Sequence, residues 1–335
     1  MTLSSMIGGT LRAAHVTHVR MRDARGSTSY VVRMPLDGAR VFHVNVNCSD
    51  LDRSRAFYAG GLGLDASART TPDQVQSGEA FGLTEARWDA WILCGERGFD
   101  GGAIDLLEWK VPRPAGTPPA RLYECGFQRI GFMVPDLDAA LGNVTANHGQ
   151  AWSEPFAHAN DDGSMIRLAL VSDPDGTAIE LIEGGGPRLS FVGITCTDFE
   201  QSLAFYRTLG FRLVARFPSN NDDGAHLRID GPVAMEEAIL SAPGGGDVLL
   251  MLVGFATPSP TASPPRPANT LGMWRTAMLV PDLDAATAVL DAAGIETISP
   301  SVSMAMGPGL PTLRFVCFKG PDGEVLELIE QPAAV

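Results

Sequence analysis

Basic residues are scarce in this chain. It has 25 Lys and Arg against 39 Asp and Glu, a formal net charge of −14, which argues against nucleic acid or an anionic membrane as its main partner. Cysteine is sparse too: five, at 48, 94, 125, 196 and 317, with no CxxC spacing. An odd, scattered set reads as reduced, buried small residues in a cytoplasmic protein rather than a disulfide framework. No apolar run reaches the roughly 18 residues of a membrane span, and the start MTLSSMIGGTLRAA lacks the basic end and apolar core of a signal peptide. There is no phosphate loop and no GxSxG. The glycine runs at 184–186 and 244–246 fall at a boundary and a hairpin, so they are turns rather than nucleotide cradles. At 45% hydrophobic and 19% charged over 335 residues, the chain can bury a sizeable core, with two domains as the prior from length.

What the chain does have is one stretch written four times. In Val41–Tyr58, VFHVNVNCSDLDRSRAFY, Phe42, Val44 and Val46 alternate with His43, Asn45 and Asn47. A period of two predicts a strand with one apolar and one polar face. Ser49 and Asp50 then offer an N-cap to a helix carrying Leu51, Ala56 and Phe57. The pattern returns as FQRIGFMVPDLDAAL (127–141), LSFVGITCTDFEQSLAFY (189–206) and MWRTAMLVPDLDAATAVL (273–290). Each copy is too small for a domain and predicts a supersecondary unit that needs a partner.

The units divide as follows. Residues 1–40 read as an extension forming a hairpin, with strands at 15–21 and 29–34. Module 1 spans 41–112, with a polar loop at 65–80 and strands at 87–94 and 103–109; module 2 spans 122–184; module 3, 188–254; module 4, 271–331. Proline-rich crossovers at 111–119 and 255–267 link modules 1 to 2 and 3 to 4, and Gly184–Pro187 marks the boundary between domains 41–184 and 188–335. Short connections predict that modules 1 and 2 close one cup and modules 3 and 4 the other.

Repeated βαβββ modules opening HVNVNCSDLDRSRAFY and closing DPDGTAIELIE resemble the vicinal oxygen chelate superfamily of glyoxalases, bleomycin-resistance proteins and extradiol dioxygenases, over about residues 41–331. The resemblance implies an α+β fold of four modules paired into two cup-shaped, glyoxalase-like domains. It also implies site positions: on each first strand, seven residues before the helix-capping Asp, and on each last strand, the acid of the IEL motif. Those positions hold His43 and Asp105 in module 1, Arg129 and Glu180 in module 2, Phe191 and Leu249 in module 3, and Arg275 and Glu327 in module 4.

His43, Asp105 and Glu180 could ligate a divalent metal. Arg129 stands where a neutral ligand is expected, and a guanidinium has no lone pair to give; the alternative is a metal-free cup with an Arg129–Glu180 pair. So either no cofactor is required or one divalent metal sits in the first cup. In the second, Arg275 and Glu327 are expected to pair without metal. The expected catalytic set is His43, Asp105, Glu180 and Arg129, with Asn45, Asn47 and Trp91 toward the substrate. Trp88, Trp91, Trp109 and Phe81 form either an aromatic wall or ordinary core.

The implied function is a small-molecule enzyme of lyase or isomerase type. Oxygenation fits less well, because neither cup offers two His and a carboxylate. The alternative is a non-catalytic protein sequestering a toxic or hydrophobic compound. Either acts as a monomer or homodimer, with neither nucleic acid nor membrane as partner.

Overall fold

Each repeat turns from strand to helix at one aspartate. In a computed structural model that describes residues 17–22, 28–33, 36–159 and 165–332, Asp50, Asp136, Asp198 and Asp282 sit in extended backbone at the helix starts. Each carboxylate accepts from the N–H three residues on, in Arg53, Ala139, Gln201 and Ala285, at 2.9–3.0 Å. Such caps contribute about 1 kcal/mol each. The helices run Leu51–Arg55, Leu137–Ala146, Phe199–Thr208 and Leu283–Ala292. The first widens into a π turn, Ala56–Gly61. Module 1 has one residue more between Tyr58 and Leu64 than module 3 has between Tyr206 and Phe211, and the wider turn absorbs it. No helix among the described residues is long and apolar enough to cross a membrane.

The strands form two long sheets, and they overturn the expected pairing of modules. One sheet runs Val302–Ala305, Thr312–Lys319, Val325–Glu330, Gly272–Val280, Arg40–Asn47, Ala103–Val111, Glu85–Cys94, Asp65–Thr70. It joins module 4 to module 1 through their antiparallel first strands. The other runs Phe156–Ala159, Met165–Ser172, Ala178–Glu183, Gly126–Val134, Arg188–Thr195, Leu249–Thr257, Val233–Ser241, Arg212–Asn221, and joins module 2 to module 3 in the same way. Modules 1 and 4 therefore make an outer cup, and modules 2 and 3 an inner one. The crossovers allow it. They run side by side, with Leu271 N–H donating to Ala115 O, Cys125 N–H to Thr261 O, and Thr261 N–H to Tyr123 O, all at 2.9 Å. The chain thus passes from outer sheet to inner and back along one paired seam.

Modules 1 and 2, and modules 3 and 4, meet instead through their helix layers, which share one core containing Phe57, Tyr58, Phe132, Leu137 and Val144 on one side and Leu203, Tyr206, Leu283 and Leu290 on the other. Two matching latches cross this layer. Tyr58 OH donates to Asp173 at 3.1 Å, and Tyr206 OH donates to Glu324 at 2.6 Å. Asp175 of the same turn as Asp173 takes the Ser49 N–H at 2.9 Å and the Arg53 guanidinium at 2.8 Å.

Two details differ from the sequence reading. The polar loop expected at 65–80 contains a strand, Asp65–Thr70, paired to Glu85–Cys94 at the sheet edge; an edge strand buries too little to carry an apolar alternation. Phe42 does not share a face with Val44 and Val46. The register with module 4 slips between His43 and Val41, so Phe42 bulges out of line and packs with the cup-side cluster, while Val41 joins the helix-side core. A second slip, between Met273 and Thr276, sets two residues opposite Asn45. Trp274 joins the cup-side cluster, and Arg275 reaches the cup group Asp105.

Candidate functional site

In the outer cup three charged side chains and one imidazole converge from four strands. Arg275 Nε lies 2.8 Å from Glu327 Oε2, and Arg275 Nη2 lies 2.7 Å from Asp105 Oδ2. His43 Nε2 is 3.5 Å from that Glu327 oxygen and 3.8 Å from that Asp105 oxygen. All four are buried, with His43, Asp105, Arg275 and Glu327 exposed by 5%, 4%, 6% and 3%. Asn45 Nδ2 donates to Asp105 Oδ2 at 3.3 Å and to its backbone carbonyl at 3.2 Å. Aromatic rings complete the walls: Phe81 packs on Phe315 and Trp109 at 5.6 Å each, and the Arg275 guanidinium lies 5.4 Å over Phe81 and 5.9 Å over Trp274.

Electrostatics follow from burial and pairing. Burial pushes the Glu327 carboxyl up, but Arg275 and His43 outweigh it and hold the group below its ordinary value. For Arg275, burial opposes the charge, and Glu327 and Asp105 outweigh it, so its pKa is raised. Four polar atoms of the cluster have no hydrogen-bond partner within the chain: both ring nitrogens of His43, Asn45 Oδ1 and Arg275 Nη1. Buried polar atoms are costly without partners. Arg275 Nη1, Asn45 Oδ1 and the two ring nitrogens of His43 are therefore uncommitted within the chain.

The expected site residues are thus divided between two cups. His43 and Asp105 stand together, but with Arg275 and Glu327, which the sequence reading assigned to the other domain. Arg129 and Glu180 lie in the inner cup, because module 2 pairs with module 3. Asn45 faces the outer cluster. Asn47 is committed to structure: it donates to the Ala268 and Thr270 carbonyls at 2.7 Å each and accepts from Trp109 Nε1 at 3.0 Å. Trp91 points to the helix side, its ring flanked by Arg55 and Arg69 at 5.3 and 5.4 Å. Phe81, Trp88 and Trp109 line the cup as a packed cluster.

In the inner cup Phe191 and Leu249 stand where His43 and Asp105 stand in the outer. Arg129 Nε lies 2.8 Å from Glu180 Oε2, and a second carboxylate arrives from a different strand, Glu237, 3.2 Å from Arg129 Nη2. Burial pushes Glu237 up against the pull of Arg129. Sequence reasoning missed this residue. Its signal lies in the alternation Val233, Met235, Glu237, Ile239, a charge on an otherwise apolar face.

The donor set does not fit a metal ion as arranged. The guanidinium of Arg275 occupies the point on which Asp105 and Glu327 converge, and it cannot ligate. No group of three His, Cys, Asp or Glu among the described residues is placed to hold a metal.

Comparison with known proteins agrees with the fold. The family model for the Glyoxalase/Bleomycin resistance protein/Dioxygenase superfamily matches residues 40–181 and again 188–328. Lactoylglutathione lyase GLX1 of Arabidopsis thaliana is 27% identical over 184 residues, 54% of this chain and 58% of that protein. The matched part thus spans little more than half of that relative. The uncharacterized protein YaeR of Escherichia coli is 28% identical over 145 residues, 43% of this chain and 95% of YaeR. The crystal structure of glyoxalase I from Zea mays superposes with a TM-score of 0.62 at 19% identity, covering 87% of this chain and 92% of that one.

Proposed function

This chain belongs to the Glyoxalase/Bleomycin resistance protein/Dioxygenase superfamily, and from that premise we propose that it is a small-molecule enzyme of lyase or isomerase type working in the outer cup. The observation that carries the reading is the pair of unpartnered groups there, the His43 imidazole and Arg275 Nη1. An imidazole held against carboxylates can accept a proton from carbon next to a carbonyl and return it. A guanidinium N–H in the same cluster can donate to that carbonyl oxygen as it gains charge. Asp105 and Glu327 hold Arg275 in place, and Asn45 holds Asp105. Phe81, Trp109, Trp274 and Phe315 give the cluster an apolar surround, which strengthens each of these interactions.

The two cups of the chain support this assignment. Both keep an arginine paired with the last-strand carboxylate, so that pair is frame. At the first-strand position only the outer cup carries an imidazole, His43; in the inner cup His226 and His158 act on Glu180 and Glu237 from the loop and edge strand instead. Relatives named lactoylglutathione lyase support lyase chemistry, and a carbonyl compound with an adjacent acidic C–H is what this constellation can serve.

The test is turnover of a panel of 2-oxoaldehyde–thiol adducts and α-hydroxycarbonyl compounds, with lactoylglutathione formation among the readouts. Conversion by the wild type and its loss in His43→Ala supports the reading. Tight binding of a panel compound without conversion makes the chain a sequestering protein instead.

A further inference from the structure

We propose that the outer cup is a ligand frame in which the Arg275 guanidinium takes the place of a divalent cation, so that the chain works without a metal and the single change Arg275→His turns the same frame into a cation site. The inference rests on the outer cup being the working site, but not on the reaction assigned to it.

Three side chains with lone pairs lie around the Arg275 guanidinium, which keeps them from being placed to hold a metal. Asp105 Oδ2 and Glu327 Oε2 each lie within 2.8 Å of an Arg275 nitrogen, and His43 Nε2 lies within 3.8 Å of both oxygens. Carboxylates from two different modules converge this closely only around a positive charge, because their mutual repulsion in a buried cup is otherwise uncompensated. A guanidinium supplies the charge but no empty orbital, so it neutralises the carboxylates without polarising a ligand as a metal does. What it adds instead is a hydrogen-bond donor, Nη1, which has no partner within the chain. The ligand this frame takes is therefore one carbonyl or hydroxyl oxygen of a neutral molecule, to which Nη1–H donates, with His43 beside it. Two free oxygens chelating a cation are not what it is built to receive.

The inner cup shows that the guanidinium is part of the design of this chain rather than an accident at one position. Arg129 stands at the equivalent place, also between two carboxylates, although the second of them, Glu237, comes from another strand. The chain thus builds the same charge arrangement twice by different routes. The cups differ in what surrounds it. Replacing Arg275 by histidine leaves two imidazoles and two carboxylates around one point, a set suited to Zn, Co or Ni. The same replacement at Arg129 leaves Phe191 and Leu249 at the other two positions.

The experiment is a Co²⁺ titration of the full chain, prepared free of metal, followed by visible absorption and melting temperature. Wild type is expected to show neither ligand-field bands nor a shift in melting temperature. Arg275→His is expected to melt low without metal, to bind one Co²⁺ per chain with visible bands, and to gain melting temperature with Co²⁺ concentration by mass action. Adding His43→Ala to that variant weakens Co²⁺ uptake by removing one of its two imidazoles. Stoichiometric, His43-dependent Co²⁺ binding by the wild type overturns the proposal, whether or not the variant folds. So does an Arg275→His variant that keeps the wild-type circular dichroism and binds no Co²⁺. Neither result depends on substrate turnover, so each is separable from failure of the proposed reaction.

Discussion

The two latches that pin neighbouring modules together make stability fall as pH rises. Asp173 is buried against the Tyr58 hydroxyl, and burial raises it from 3.8 to about 6. Glu324 is buried against Tyr206, and burial raises it from 4.5 to about 7. A carboxyl whose folded pKa lies above its unfolded value costs nothing while both states are protonated. Its cost grows as pH rises through the unfolded value and levels off above the folded one. At 1.36 kcal/mol per unit, each group costs about 3 kcal/mol when fully ionised, and about 4 kcal/mol of the combined cost develops between pH 5 and pH 8. The perturbation is the double change Asp173→Asn with Glu324→Gln. Each amide keeps an oxygen for the backbone N–H groups and can turn its NH₂ to the tyrosine oxygen. The assay is urea unfolding at both pH values. Relative to wild type, the double variant is expected to gain about 4 kcal/mol on going from pH 5 to pH 8. Parallel pH profiles for the two proteins refute the reasoning, as does a gap that narrows at high pH.

Three further outcomes follow from the cups. Arg275→Met strands Asp105 and Glu327 in the outer cup and is expected to lower unfolding free energy by about 3–5 kcal/mol; the loss should shrink at low pH, where the stranded carboxyls can protonate, as urea unfolding would register. Asn47→Ala removes three hydrogen bonds and leaves the Trp109 N–H and two carbonyls buried without partners, a cost of about 3 kcal/mol readable by the same method. His43→Ala removes no hydrogen bond within the chain, so its melting temperature should stay close to wild type while turnover or ligand binding is lost.

How far the sequence carried this picture depends on the kind of information each residue held. Local chemistry was legible. Alternation placed His43, Asn45 and Asn47 on one face, and the repeated aspartates marked all four helix starts. The pairing of Arg275 with Glu327 followed from their positions on neighbouring strands. The partnership of Asp105 with Arg275 did not, because it depends on where the proline-rich crossovers lead. Those segments read as extended, but nothing in their composition says which sheet edge they reach. Bulges were equally silent: Phe42 and Trp274 face the cup because the junction of modules 1 and 4 inserts an extra residue in each of its two strands, which a strict period of two cannot express. Trp91 is a different case. It lies three positions from Trp88, so a period of two puts the two rings on opposite faces, and Trp91 takes the helix side.

The central claim is that the working cup is built by the first and last modules around His43. Its most direct test is exchange of a substrate carbon-bound proton with deuterium oxide, followed by NMR over the α-hydroxycarbonyl panel, for wild type, His43→Ala, Glu327→Gln and Glu180→Gln. Wild type and Glu180→Gln are expected to exchange the same compounds at similar rates, and His43→Ala and Glu327→Gln to lose most of that exchange. Exchange that survives in His43→Ala and Glu327→Gln but disappears in Glu180→Gln would place the chemistry in the inner cup and contradict the account.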